Sequence, residues 1–311
     1  MMILASPIYF PGLGIEINPS NIAFSIGGHN FYWYGIIIAA GFLLAALYGM
    51  KRAEQFGLTQ DNIIDILICA VPSAIIGARA YYCIFNWAEY AENPISVLYI
   101  WNGGLAIYGA IIAAIISVVV YAKVKKINPG TILDLGSLGM LIGQMIGRWG
   151  NFINREAHGV ECTNFLRMGL MNASDRWVFY HPTFLYESLW NLVGFVLLHF
   201  FSKKYRKFDG QIFLMYMCWY GFGRGLIEGL RTDSLYFMGT GLRISQFLGY
   251  AFFVVCLVVL FIKLVFKDND PADMQVWKYN HPVAENAAET VDSETDTDED
   301  NKGEDHERNS D

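Results

Sequence analysis

Residues 244–262 read ISQFLGYAFFVVCLVVLFI, nineteen positions without one charged side chain. A helix of that length rises about 1.5 Å per residue and comes close to the roughly 30 Å hydrocarbon core of a bilayer. No soluble core helix needs an uncharged stretch so long. Working outward, seven stretches qualify as membrane spans: 31–50, 62–85, 104–122, 129–147, 182–201, 211–230 and 242–266. The sequence therefore predicts an all-α polytopic membrane protein of seven transmembrane helices. Composition agrees: 54% of residues are apolar and 16% charged, where soluble domains carry about 25% charge. No basic face suited to nucleic acid accompanies this pattern.

The net charge of −7 conceals two unlike parts. Residues 268–311 sum to −12 and residues 1–267 to +5. We expect residues 1–267 to form the membrane domain, and 268–311 to be a solvated, disordered acidic tail. The five cysteines, Cys69, Cys83, Cys162, Cys218 and Cys256, form no CxxC pair, so neither a disulfide framework nor a zinc site is expected. The first 30 residues lack Lys and Arg, which argues against a secretory leader and leaves membrane insertion to the helices themselves.

Lysines set the expected orientation. Lys51 and Arg52, then Lys123, Lys125 and Lys126, then Lys203, Lys204, Arg206 and Lys207 follow spans one, three and five, and Lys263 and Lys267 end span seven. The positive-inside rule places those loops in the cytoplasm, the N-terminus outside and the C-terminus inside. Most other arginines do not follow suit. Arg79, Arg148, Arg155, Arg167, Arg176, Arg224, Arg231 and Arg243 lie within spans or on the outer side. A guanidinium at such depth is costly unless it is paired, and its fork suits phosphate and carboxylate.

Four polar clusters share that outer side. In span six, Tyr220, Arg224, Glu228 and Arg231 are spaced four, four and three residues apart, which on a helix confines them to an arc of about 80°. Two arginines against one glutamate leave a positive charge for an anion; a structural ion pair is the alternative. Residues 147–159, GRWGNFINREAHG, supply Arg148, Asn151, Asn154, Arg155, Glu156 and His158. Residues 181–187, HPTFLYE, open span five, with His181 a possible helix cap and Tyr186 and Glu187 interfacial or structural. Residues 101–110, WNGGLAIYGA, bring Tyr108 to the start of span three. The glycines of spans four and six (Gly136, Gly139, Gly143, Gly147; Gly221, Gly223, Gly225, Gly229) read as close helix packing.

GRWGNFINREAHG resembles the signature of the phosphatidylglycerol:prolipoprotein diacylglyceryl transferases. HPTFLYE, GGLAIYG, the WYG of Trp33–Gly35 and GRGLIEGLR follow the same order as in that family, so the resemblance spans roughly residues 20–266. It implies a multi-pass enzyme of the bacterial plasma membrane, without cofactor or metal. Such an enzyme moves diacylglyceryl from phosphatidylglycerol to the lipobox cysteine thiol of a prolipoprotein. Its product is a thioether, and glycerol phosphate is released. Matching positions implicate Tyr34, Arg148, Asn151, Glu156, Gly159, Arg224, Glu228 and Arg231. Arg148 and Arg224 are similar to the family's headgroup arginines, with Asn151 and Gly159 beside the lipid. Many members carry His where this chain has Tyr108, so the base at that position does not transfer. Glu156, His158, His181 and Tyr108 remain candidates, as does bulk water acting on a thiol whose pKa arginines depress. Two rivals stand: an organic-anion transporter, and a Mg²⁺-dependent polyprenyl-phosphate transferase.

Overall fold

A computed structural model of the chain describes residues 6–172, 174–232 and 243–281. Residue 242 at the start of the seventh predicted span, and 282–311 of the predicted tail, lie outside the described residues. Seven described helices have 18 residues or more: α1 Trp33–Arg52, α2 Gln60–Phe85, α4 Ile107–Val124, α5 Pro129–Asn154, α6 Thr183–Lys204, α7 Gln211–Glu228 and α8 Ile244–Val265. Two short helices, α3 Trp87–Tyr90 and α9 Gln275–Asn280, complete the set.

Six of the long helices are apolar enough to cross a membrane. The helix of the sixth predicted span, α7, is not one of the six. It carries Gln211, Arg224 and Glu228, and it is largely sheltered by α5, α6 and α8. The six apolar helices expose large side chains; on α8, Phe247 is 65% exposed and Val255 58%. In water such a surface would be a large apolar patch; in lipid it costs nothing. The chain is a multi-pass membrane protein.

The chain is mostly helical, as the all-α reading expects, and its connections add two small sheets. Strands β1 Ile8–Phe10, β2 Ile15–Ile17, β5 Met168–Met171 and β6 Trp177–Tyr180 form an antiparallel sheet of order β2-β1-β5-β6. Strands β3 Ile22–Ile26 and β4 His29–Tyr32 form a hairpin. Gly27 and Gly28 turn that hairpin at φ +57° and +82°, values that favour glycine and match a tight two-residue turn. Three-to-five-residue strands between long apolar helices leave little periodicity to detect.

Two apolar clusters hold the fold. One, with Phe56, Leu58, Leu138 and Ile212, sits toward the lysine-bearing helix ends. The other joins Ile8, Met168 and Leu170 of the sheet to Phe152 of α5 and Phe184 of α6. Phe152 and Phe184 stack with centroids 4.5 Å apart, which fixes the end of α5 against the beginning of α6.

The first residues of the predicted tail carry two short helical turns, Pro271–Asp273 and Gln275–Asn280. Met274 is buried, Gln275 N donates to Asp209 Oδ2 at 2.8 Å, and Asn128 N donates to Gln275 Oε1 at 3.1 Å. Residues 270–280 thus dock between the α4–α5 and α6–α7 connections, beside Gly57 of the α1–α2 turn.

Candidate active site

The polar residues gather where α5 ends, α6 begins and α7 ends. Helix α5 terminates at Asn154, and Arg155 and Ala157 follow with φ near +57° and +55°. These left-handed residues turn the chain back on itself. Glu156 consequently faces the helix it has just left: its Oε1 accepts from Asn151 Nδ2 at 2.8 Å and from Asn154 Nδ2 at 3.5 Å.

Glu187 is the centre of the cluster. Its carboxylate lies 2.5 Å from Arg148 Nη2, 3.2 Å from Arg231 Nη1 and 3.7 Å from Arg224 Nη1. Arg224 Nη2 also reaches Glu228 Oε2 at 2.6 Å. Glu228 is almost fully buried, and its carbonyl oxygen accepts from Arg243. Three arginines against two glutamates leave this nucleus with a formal charge of +1. Arg231 lies just beyond α7 and still joins the face predicted for it, because a bridge to Gly159 holds it in place.

Glu187 is the residue that sequence reading undervalued. The motif HPTFLYE was noticed, but nothing local says that its last residue meets three guanidiniums. Helix α6 is fixed on both sides of it. Trp149 Nε1 donates to Ser188 Oγ at 3.2 Å across to α5. Toward α7, Trp190 and Trp219 stack at 4.3 Å and each indole donates to the other's carbonyl.

Two cavities flank the cluster, and Tyr34 of α1 lines both. One, of about 710 Å³, runs between α1 and α5 past Ile38, Phe42, Gly139 and Gly143 and meets Arg148 and Asn151 at one end. The other, of about 720 Å³, lies beneath the β3–β4 hairpin with Glu156 in its wall. Gly150 holds Tyr34 between them; a Cβ there would stand 2.7 Å from Tyr34 Cδ2. Gly136 and Gly143 of α5 have open space where a Cβ would go and line the first cavity. The close-packing reading of span four is therefore corrected at these positions. It holds in α7, where Gly221 meets Gly249, Gly223 meets Trp190 and Gly225 meets Tyr250.

Other predicted residues lie elsewhere. Tyr108 is 46% exposed and lines neither cavity. His181 does not cap α6; it contacts Asn164 Nδ2 at 3.1 Å and the Tyr186 hydroxyl at 3.3 Å. The His158 ring lies 4.1 Å from that of Tyr180, their planes tilted by 34°; burial raises the pKa of Tyr180, helped by Glu161. Gly159 is buried, and a Cβ on it would approach His181 Cβ to 2.6 Å, so it spaces the backbone. Two arginines grouped with the anion binders do other work. Arg79 donates to the carbonyls of Ser96, Val97, Gly103 and Gly104, and Arg155 to those of Ser6, Pro19 and Ile153. Both organise loops.

Among the described residues, no group of three or more His, Cys, Asp or Glu side chains is arranged to hold a metal ion. A guanidinium at the polar end of an apolar groove has the chemistry to meet an anionic group carried on apolar chains.

Fold and site thus define a multi-pass membrane protein with an arginine cluster at the polar end of an apolar cavity. The chain belongs to the prolipoprotein diacylglyceryl transferase family, whose description matches residues 21–262. Relatives named phosphatidylglycerol--prolipoprotein diacylglyceryl transferase include one from Streptococcus agalactiae, 43% identical over 248 residues, covering 78% of this chain and 95% of the relative. Another, from Bacillus velezensis, is 42% identical over 258 residues, covering 80% and 93%. A third, from Bacillus licheniformis, is 42% identical over 263 residues, covering 82% and 96%.

Proposed function

We propose that this protein transfers the diacylglyceryl group of phosphatidylglycerol to the lipobox cysteine thiol of a prolipoprotein, forming a thioether and releasing glycerol phosphate. It works in the bacterial plasma membrane. All seven long helices cross, the N-terminus and the arginine cluster face outward, and the C-terminus is cytoplasmic. The opposition of lysine-bearing and arginine-bearing helix ends supports that orientation.

The observation that carries the reading is Arg148 at the polar end of the α1–α5 cavity. A phospholipid has the same polarity: an anionic head on apolar chains. Arg148, with a side chain 23% exposed, reaches the phosphate directly; Arg224 stands behind it at 18%. As the thiolate attacks the glycerol carbon, negative charge grows on the departing phosphate oxygen. Charge-assisted hydrogen bonds from the guanidiniums stabilise that charge where water is scarce. Glu187 and Glu228 hold the guanidiniums in place beforehand, so little reorganisation accompanies the reaction.

The test is lipidation of a lipobox peptide by purified protein with phosphatidylglycerol as sole lipid donor. Thioether product and glycerol phosphate in equal amounts are expected, undiminished by a chelator. Folded protein that gives no product would overturn the reading; loss of activity with the chelator would revive a Mg²⁺-dependent transferase.

A further inference from the structure

The two cavities meeting at Tyr34 differ in character, and one lacks the arginines. The hairpin cavity is lined by Asn21, Asn30, Phe31, Tyr32, Tyr34 and Glu156. Glu156 is exposed, and its recorded partners are two amide donors rather than a cation. Among the described residues β4 pairs only with β3, so this wall of the cavity offers a strand edge with free backbone groups. An extended peptide can add to such an edge. A phosphate, in contrast, would meet the Glu156 carboxylate there and be repelled.

We propose that the hairpin cavity receives the extended lipobox segment of the prolipoprotein along β4, and that Glu156 accepts the proton of its cysteine thiol. This rests on the transferase reading above. The step balances within the site. The S–H proton passes to the Glu156 carboxylate, and the sulfur electron pair forms a bond to the glycerol carbon. The carbon–oxygen bond to phosphate breaks, and its electron pair leaves on glycerol phosphate beside Arg148. Thiol and phosphate reach the reacting carbon from the two different cavities that Tyr34 lines, which keeps nucleophile and leaving group apart as a displacement at carbon requires. Asn151 links the sides: its Nδ2 donates to Glu156 while its Oδ1 lies 3.4 Å from Arg148 Nη1.

Location is tested by crosslinking. Full-length N30C and N21C, with G139C in the other cavity as control, are oxidised with a lipobox peptide in micelles free of phosphatidylglycerol. A peptide disulfide at N30C or N21C, above the background of the native cysteines and competed by the serine analogue of the peptide, is expected. An adduct at G139C alone, or none at either hairpin position, overturns the location. Proton transfer is tested with E156Q and two peptides. General-base removal should slow the cysteine peptide about 100-fold, whereas a selenocysteine peptide, already ionised at neutral pH, should lose less than about tenfold. Equal losses overturn the base assignment. Wild-type turnover with phosphatidylglycerol, measured alongside, tests the transferase reading separately.

Discussion

The Glu187 carboxylate lies 2.5 Å from Arg148 and 3.2 Å from Arg231, joining α5, α6 and the segment after α7 through a single side chain. Removing one partner of a buried ion pair leaves an uncompensated charge and costs about 3–5 kcal/mol. E187Q should therefore lower thermal stability and reduce kcat more than it raises KM for phosphatidylglycerol, because the freed arginines still attract the phosphate but no longer hold it in line. E187D, one methylene shorter, should not restore kcat. Lipidation kinetics with a melting curve in detergent check both; unchanged kcat in E187Q would reduce Glu187 to a structural tie.

Arg148 should resist conservative replacement. Lysine keeps the charge but presents it as a point, without the two parallel donors that a phosphate and Glu187 use together. We expect R148K to lose about 100-fold in kcat/KM, on the order of 2.7 kcal/mol, while remaining folded. Activity within a few-fold of wild type would show that charge alone is needed.

Gly150 and Gly143 should separate sharply on α5. A methyl on Gly150 meets the Tyr34 ring at 2.7 Å, and such overpacking costs about 1–3 kcal/mol. G150A should displace Tyr34 and depress turnover. G143A meets nothing within 4 Å, so it should fold as well as wild type or slightly better. Its effect should fall on KM for long-chain lipid, since the methyl projects into the α1–α5 cavity. Turnover assayed with short- and long-chain phosphatidylglycerol distinguishes the two variants.

The C-terminal boundary is testable by truncation. Ending the chain after His281 should leave stability and activity unchanged. Ending it after Lys267 removes buried Met274 and the two hydrogen bonds of Gln275, a loss of about 3–5 kcal/mol from one apolar side chain and two backbone-to-side-chain hydrogen bonds. The shorter protein should melt earlier by differential scanning fluorimetry. Equal melting of the two truncations would return residues 268–281 to the solvated tail.

Apolar run length, by itself, determined the membrane class and the places of the six long helices apolar enough to cross a membrane, because a helix must satisfy its own backbone in lipid and announces itself as about 20 apolar residues. Helical spacing also determined that Arg224 and Glu228 would share a face. What only the tertiary structure decided is which charges meet. Arg79 and Arg155 looked like anion binders in the sequence and turned out to hold loop carbonyls, whereas Glu187, read in HPTFLYE as interfacial or structural, became the hub of three arginines. Tyr34 gained its place between two cavities from a glycine on another helix. The physical reason is common to all of these: periodicity records which side chains share one helix face, while an ion pair or a cavity wall depends on which faces of different helices are brought together.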